Sequence, residues 1–159
     1  MEPESPLRAL IDRVAGPGRV MWIGLRPERR AAVEAVATAE IAAGGLAGDH
    51  RARPGKRAVT LIQWEHLAVI AALAHRDAAD PALLRRNIAV AGINLLGLRG
   101  RRFRVGGAVL MGSGLCAPCS RMEEALGPGG YAAVRGHGGI TAEVVEPGPI
   151  ALGDPVEPV

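Results

Sequence analysis

The stretch RRFRVGGAVLMG, residues 101–112, decides how the rest of the chain is read. Two short runs, RRFRV and AVLMG, flank the pair Gly106-Gly107. Glycine reaches positive φ without a Cβ clash, and two-residue hairpin turns demand that conformation. The segment therefore predicts two antiparallel strands joined by a tight hairpin. Working outward, RVMWIGLRP (19–27), AVTLI (58–62) and NIAVAGI (87–93) read as further strands. ITAEVVE (140–146), the turn Pro147-Gly148-Pro149 and IALGDPVEP (150–158) predict two closing strands. RAAVEAVATAEIAAGG (30–45) fits a helical stripe through Val33, Val36, Ala37 and Ile41, and fits strand alternation nearly as well.

The predicted helices are short and peripheral. PLRALIDRV (6–14) ends at Gly16-Pro17-Gly18, and WEHLAVIAALAH (64–75) places Trp64, Leu67, Ala71 and Ala74 on one face. Asp80 before Pro81 predicts the cap and first turn of another helix, ending near Arg86. Ser120 and Glu123 read as a capping box before a helix that stops at Gly127, and GYAAVR (130–135) as one more helical turn. GLAGDHRARPGKR (45–57) reads as a polar loop. Hairpin-linked strands with a few short helices define a mainly β chain of the α+β kind, a barrel or sandwich with helical insertions. With no internal repeat or linker, a single domain is expected over residues 1–159.

A chain of 159 residues is long enough for one real core, and its 48% apolar content fits a globular protein. Only four residues are aromatic (two Trp, one Tyr, one Phe), so that core is assembled from small side chains. Of the 19 basic residues all but Lys56 are arginine, and the formal charge is a modest +3. No basic run is interleaved with aromatics to stack bases, so no nucleic-acid partner is expected. A small anionic ligand suits the excess better. No stretch approaches the roughly 18 uncharged apolar residues that cross a bilayer. MEPESPLRALIDRVAGPG lacks the basic flank and apolar block of a signal peptide. The expectation is a soluble cytoplasmic protein with no membrane partner, whose thiols stay reduced and do not form a structural disulfide.

Both cysteines lie in GLCAPCSRMEEALG (114–127). A structural zinc site wants four ligands in two close pairs, and only one Cys pair is present. A thioredoxin-like site needs a βαβ setting that the flanking pattern lacks. Two buried, inert thiols are the bland alternative. Local chemistry favours one working sulfur: Cys119 precedes the expected helix start and lies two residues from Arg121. Both features favour thiolate over thiol, which creates a nucleophile or soft metal ligand. On this reading Cys119 carries the chemistry and Cys116 is a neighbour.

GLAGDH (45–50), RAVTLI (57–62), RRNIAVAGINL (85–95), LRGRRFRVGGAVL (98–110), CAPC (116–119), RGHGGITAEVV (135–145) and IALGDPV (150–156) follow in this order. Together they resemble the MOSC domain, named for the C-terminal domain of molybdenum cofactor sulfurases, in its short stand-alone bacterial form. The resemblance covers about Gly18 to Val156, with residues 1–17 as an N-terminal extension. It implies a strand-rich MOSC-type β-barrel with short peripheral helices, and molybdenum cofactor (molybdopterin) as the ligand. It makes Cys119 the functional cysteine, either as catalytic molybdenum ligand or as carrier of a persulfide sulfur. It also implies a cofactor-binding set of Asp49, His50, Arg86, Asn87, Arg121, Arg135, His137 and Gly138. Arginines hold phosphate through paired N–H groups, Asn87 both donates and accepts, and glycine permits close approach. Three have a plainer alternative: Arg86 interacting with a helix C-terminus, Asn87 ending that helix, and His137 as an exposed loop histidine.

Two features depart from the family pattern. Reductase members often carry an acidic residue before the Asn where this chain has Arg86, and the loop after Asp49 is short and basic. Pyridoxal phosphate, which the wider family suggests through another domain, is not expected. Its Schiff base would fall to Lys56, in a Pro/Gly-flanked loop ill suited to desolvating an amine. Three functions follow. The first is a molybdenum-dependent oxidoreductase reducing small N-hydroxylated compounds, with electrons from a separate donor protein. The second is a sulfur carrier loaded at Cys119 by a sulfur-donor protein, and the third a non-catalytic anion- or partner-binding module.

Overall fold

The computed structural model describes residues 5–50 and 53–159. Arg51 and Ala52 of the expected polar loop lie outside the described residues, as do the first four. In chain order the elements are α1 (Pro6–Asp12), β1 (Gly18–Leu25), β2 (Glu34–Val36), β3 (Thr38–Ala42), β4 (Gly45–Leu46), β5 (Val59–Gln63) and α2 (His66–Leu73). There follow β6 (Ile88–Ala91), a 3₁₀ turn (Leu95–Leu98), β7 (Arg102–Val105), β8 (Ala108–Leu115), α3 (Ser120–Leu126), α4 (Gly130–Val134), β9 (Ile140–Glu146), β10 (Gly148–Ala151) and β11 (Pro155–Pro158).

The hairpin read from the sequence is present: β7 and β8 pair in antiparallel register from Arg102↔Met111 to Val105↔Ala108 across Gly106-Gly107. Gly106 has φ +55°, and a side chain at Gly107 would collide with Pro149. From this hairpin the sheet runs β11-β7-β8-β9-β5-β6-β1, and β1 pairs back onto β11 at Gly18↔Val156. Among the described residues seven strands thus close a barrel, while β2 pairs with the other end of β1 at Ile23↔Val36. β5 and β6 are parallel, and α2 forms the crossover that parallel neighbours require.

Alternation fills the barrel. Phe103, Val105, Leu110, Leu61, Ile88, Ile140 and Val156 belong to one buried cluster inside it. Ile62 and Ala89, their outward-facing neighbours on β5 and β6, are buried in a second cluster with Leu67, Ile70, Met122, Leu126 and Val134 of the helices. Strands covered on both faces read as continuous apolar runs, which is why VTLI carries no polar alternation.

Four local readings are resolved or corrected. Residues 30–45 take the strand alternative, giving β2, β3 and β4, and β3 pairs with β10 in a separate small sheet. IALGDPVEP therefore contributes to two sheets. Trp64 precedes α2 and is exposed, and Ile70 buries in its place. The segment after Asp80 is a run of turns rather than a helix, held by bonds such as Leu83 N–H to Asp80 C=O (3.0 Å). Asp80 Oδ1 accepts from Ala82 N–H (2.9 Å), and Arg85 ends the run at φ +55°.

The capping box is the fourth. Ser120 is the first helical residue of α3 and Cys119 is its N-cap, in extended geometry (φ −120°, ψ 173°) with no side-chain cap bond. The Glu123 carboxylate turns forward instead and accepts from Gly129 N–H and Tyr131 N–H (both 3.1 Å). The N–H groups that open a helix have no partner within it, and the turn at Gly127 brings those of α4 within reach. These amides hold the Glu123 carboxyl below the usual range.

Candidate cofactor site at the barrel rim

β8 delivers the chain to the cysteines at one end of the barrel, and the RGHGG loop before β9 packs against Cys116. Cys116 N–H donates to Gly139 C=O (2.9 Å). Gly138 and Gly139 have no room for a Cβ, which would strike Cys116 C=O and Leu61 C=O respectively. Cys116 is buried and Cys119 exposed, both as free thiols. The spacing thus separates an inner sulfur from an outer one.

Beside Cys119 lies an open cleft of about 590 Å³ whose lining includes Arg30, Leu83, Arg85, Ser120, Arg121 and Glu124. Arg85 enters it from the turn before β6. One of its terminal nitrogens, Nη1, donates to Ala31 C=O, and the other, Nη2, is buried with no hydrogen-bond partner among the described residues. Burial lowers the Arg85 pKa, and the nearby Arg121 and Arg26 charges lower it further, while Asp49 and Cys119 partly offset them. The cleft thus carries net positive charge, three arginines against Glu124, within electrostatic reach of the outer sulfur.

The remaining expected site residues divide between rim and interior. Arg121 lines the cleft. Arg135 is exposed on the loop after α4, and His50 is exposed with Nδ1 2.9 Å from Arg26 C=O. His137 faces His66 across the top of α2, with Nδ1 atoms 3.3 Å apart and rings edge to face. Burial and the His137 charge depress the His66 pKa, against the opposing pull of Glu65. Burial raises the Glu65 carboxyl, but the Gln63 amide and Gly92 N–H outweigh it and hold the group low.

Asp49, Asn87 and Arg86 lie behind the rim. Asp49 is taken by Arg26: Nη2 to Oδ2 at 2.8 Å, Nε to Oδ1 at 3.1 Å and the Arg26 backbone N–H to Oδ1 at 2.7 Å. Asn87 is fully buried. Its Oδ1 accepts from Thr60 N–H (3.2 Å) and Thr60 Oγ1 (3.3 Å), and its Nδ2 donates to Gly24 C=O (3.3 Å). These bonds clasp β1, β5 and the start of β6. Arg86 is buried and donates to three carbonyls: Gly138 (2.9 Å), Leu84 (2.8 Å) and Ala117 (3.4 Å).

Sequence reasoning passed over Arg26, Arg30 and Arg85. Arg26 and Asp49 are 23 positions apart, and nothing local marks them as partners. In RRN the two arginines look alike, yet the positive φ of Arg85 sends one to the cleft and leaves the other inside. No group of three or more His, Cys, Asp or Glu able to hold a metal is found among the described residues.

Barrel order and site together define the class: a closed, strand-rich barrel that presents a free cysteine beside a cationic cleft. The family model of the MOSC domain matches residues 37–157, and the chain belongs to that family. The family is associated with molybdenum cofactor binding. The YuaD protein of Bacillus subtilis is a similar solved structure, with TM-score 0.79 and 19% identity, covering 89% of this chain and 95% of that one. YiiM from Escherichia coli (TM-score 0.69, 21% identity) covers 89% of this chain and 69% of that one. YiiM from Geobacillus stearothermophilus (TM-score 0.74, 18% identity) covers 90% and 75%. At these identities the likeness is one of fold. No curated protein matches the sequence.

Proposed function

We propose that the rim binds molybdenum cofactor, with Cys119 as the protein ligand to molybdenum and the arginine cleft as the seat of the cofactor's phosphate. The observation that carries this reading is the buried, unpartnered Nη2 of Arg85 in a cleft it shares with Arg121, beside an exposed cysteine. A buried guanidinium N–H without an acceptor is costly, and a phosphate oxygen satisfies it with a charge-assisted bond. Cys119 supplies a soft sulfur donor of the kind molybdenum accepts. The donor set present therefore fits the cofactor: Cys119 for the metal, Arg85, Arg121 and Arg30 for the anion, with Arg135 and His137 on the adjoining loop.

When bound, the cofactor supplies two-electron redox chemistry. Reduction of a small N-hydroxylated compound to its amine form takes up two electrons and two protons and releases water. The electrons come from a separate donor protein. The chain's own part is to hold the ligand and orient it. The test is molybdenum and pterin analysis of protein made in a cofactor-producing host. Wild type retains both; Cys119→Ser loses most of its molybdenum and Arg85→Met most of its pterin phosphate binding. Retention of neither by the wild type overturns the reading.

A second reading is favoured by the exposure of Cys119 alone. A thiolate at the surface can accept sulfane sulfur from a donor persulfide, forming Cys119–S–S⁻ while the donor leaves as thiolate. Mass spectrometry after incubation with a cysteine desulfurase and cysteine would show one added sulfur, absent from Cys119→Ala and kept in Cys116→Ala.

A further inference from the structure

We infer that Arg86 is a positioning residue, which sets the place of Cys119 through the backbone of the loop that carries it. The inference rests on the reading of Cys119 as the working sulfur, but its geometry stands without any ligand. Arg86 is 6% exposed, and no carboxylate lies within ion-pair distance of it among the described residues. A buried cation without a counter-charge is expensive and persists where its donors are otherwise satisfied. Here they are satisfied by neutral carbonyls from three separate segments.

Nη1 reaches back to Leu84 C=O (2.8 Å), which fixes the guanidinium to its own turn. Nε reaches Gly138 C=O (2.9 Å) in the loop before β9, and Nη2 reaches Ala117 C=O (3.4 Å), two residues from Cys119. The planar fork of arginine can hold carbonyls in divergent directions at once, whereas the point charge of lysine cannot. The same two loops meet a second time where Cys116 N–H bonds Gly139 C=O (2.9 Å). The cysteine loop is therefore pinned at residues 116 and 117. Pro118 then restricts the backbone, leaving Cys119 little freedom before α3 begins. An uncharged or acidic side chain at position 86 offers no such fork.

Hydrogen exchange on ligand-free Arg86→Lys and Arg86→Gln tests this directly. We expect the Cys116 and His137 amides, the two in these loops that donate to a backbone carbonyl, to exchange about tenfold faster or more, as loss of about 1.4 kcal/mol of local stability produces. Amides of β7 and β8 up to Gly112 should keep wild-type rates. In Arg86→Ala, millimolar methylguanidinium should restore protection of those loops where equal sodium chloride does not. A uniform rise over the whole barrel, or unchanged loops, overturns the positioning role. Wild-type loops protected as described but no bound molybdenum would overturn the cofactor reading alone. The converse, molybdenum retained at wild-type level in Arg86→Gln with unchanged loop exchange, would overturn the role of Arg86 alone.

Discussion

Replacing Asp49 by Asn removes the negative charge from a pair whose side chains are 11% (Arg26) and 1% (Asp49) exposed. Three bonds from Arg26 converge on that carboxylate, at 2.7, 2.8 and 3.1 Å. An amide keeps the shape but presents its own donor to Arg26, leaving a nearly buried guanidinium without a counter-charge. Breaking a buried pair from one side costs about 3–5 kcal/mol. For a chain of this size each kcal/mol lowers Tm by about 2–4 °C, so the expected fall is about 10 °C. The assay is urea unfolding beside a thermal scan, with Arg26→Met and the double variant completing a cycle. The double variant should be less destabilised than Asp49→Asn alone by at least about 1 kcal/mol, because the stranded cation is gone. A single-variant loss below about 1 kcal/mol, the size of an exposed pair, would refute the reasoning.

Further expectations concern the site and its supports. Under native conditions a thiol reagent should modify Cys119 rapidly and Cys116 only on unfolding. Equal rates at both, read by peptide mass, would contradict the inner and outer assignment. Because its pKa is depressed below 6.5 in the folded chain, His66 takes up a proton more readily when unfolded. Its contribution is therefore whole above about pH 6.5 and is lost as pH falls through the folded value, so His66→Asn should flatten the decline in stability on acidification. A stability curve unchanged by that substitution would remove the histidine pair as its source. Gly139→Ala combines φ +87° with a Cβ driven into Leu61 C=O, and should cost at least about 2 kcal/mol in urea unfolding. Glu123→Gln should speed exchange at Gly129 and Tyr131 N–H, the amides its carboxylate holds.

Elements defined by local chemistry were legible in the sequence. The Gly106-Gly107 turn, β1, β5, β6 and the stop at Gly127 follow from short apolar runs bounded by turn signals and from glycine at positive φ. Residues 30–45 were ambiguous because Ala and Val satisfy both periods, and pairing of β3 with the distant β10 settles them. Asp80-Pro81 carries a helix-start signal, but too few residues follow before the chain must enter β6, and only turns fit. Glu123 misled for a related reason: the amides it caps belong to α4, which tertiary folding brings beside it.

Of the expected site residues, Arg121 lines the cleft and Cys119 is exposed beside it, while the long-range contacts around them were not legible. Cys119 stands out by local context, as the residue before a helix. Arg86, Asn87 and Asp49 were expected to touch the ligand because their chemistry suits it. That same chemistry serves long-range bonds to Gly138, Thr60 and Arg26, which no local pattern exposes. Arg85 shows the reverse: an arginine indistinguishable in sequence from its neighbour is the one left with an unfilled donor.

X-ray absorption at the molybdenum edge tests most directly whether the outer sulfur grips the metal. Wild-type protein loaded with cofactor should show one more sulfur around molybdenum than the Cys119→Ser variant loaded in the same way, with Cys116→Ser matching wild type. The same sulfur count in all three proteins would contradict the account.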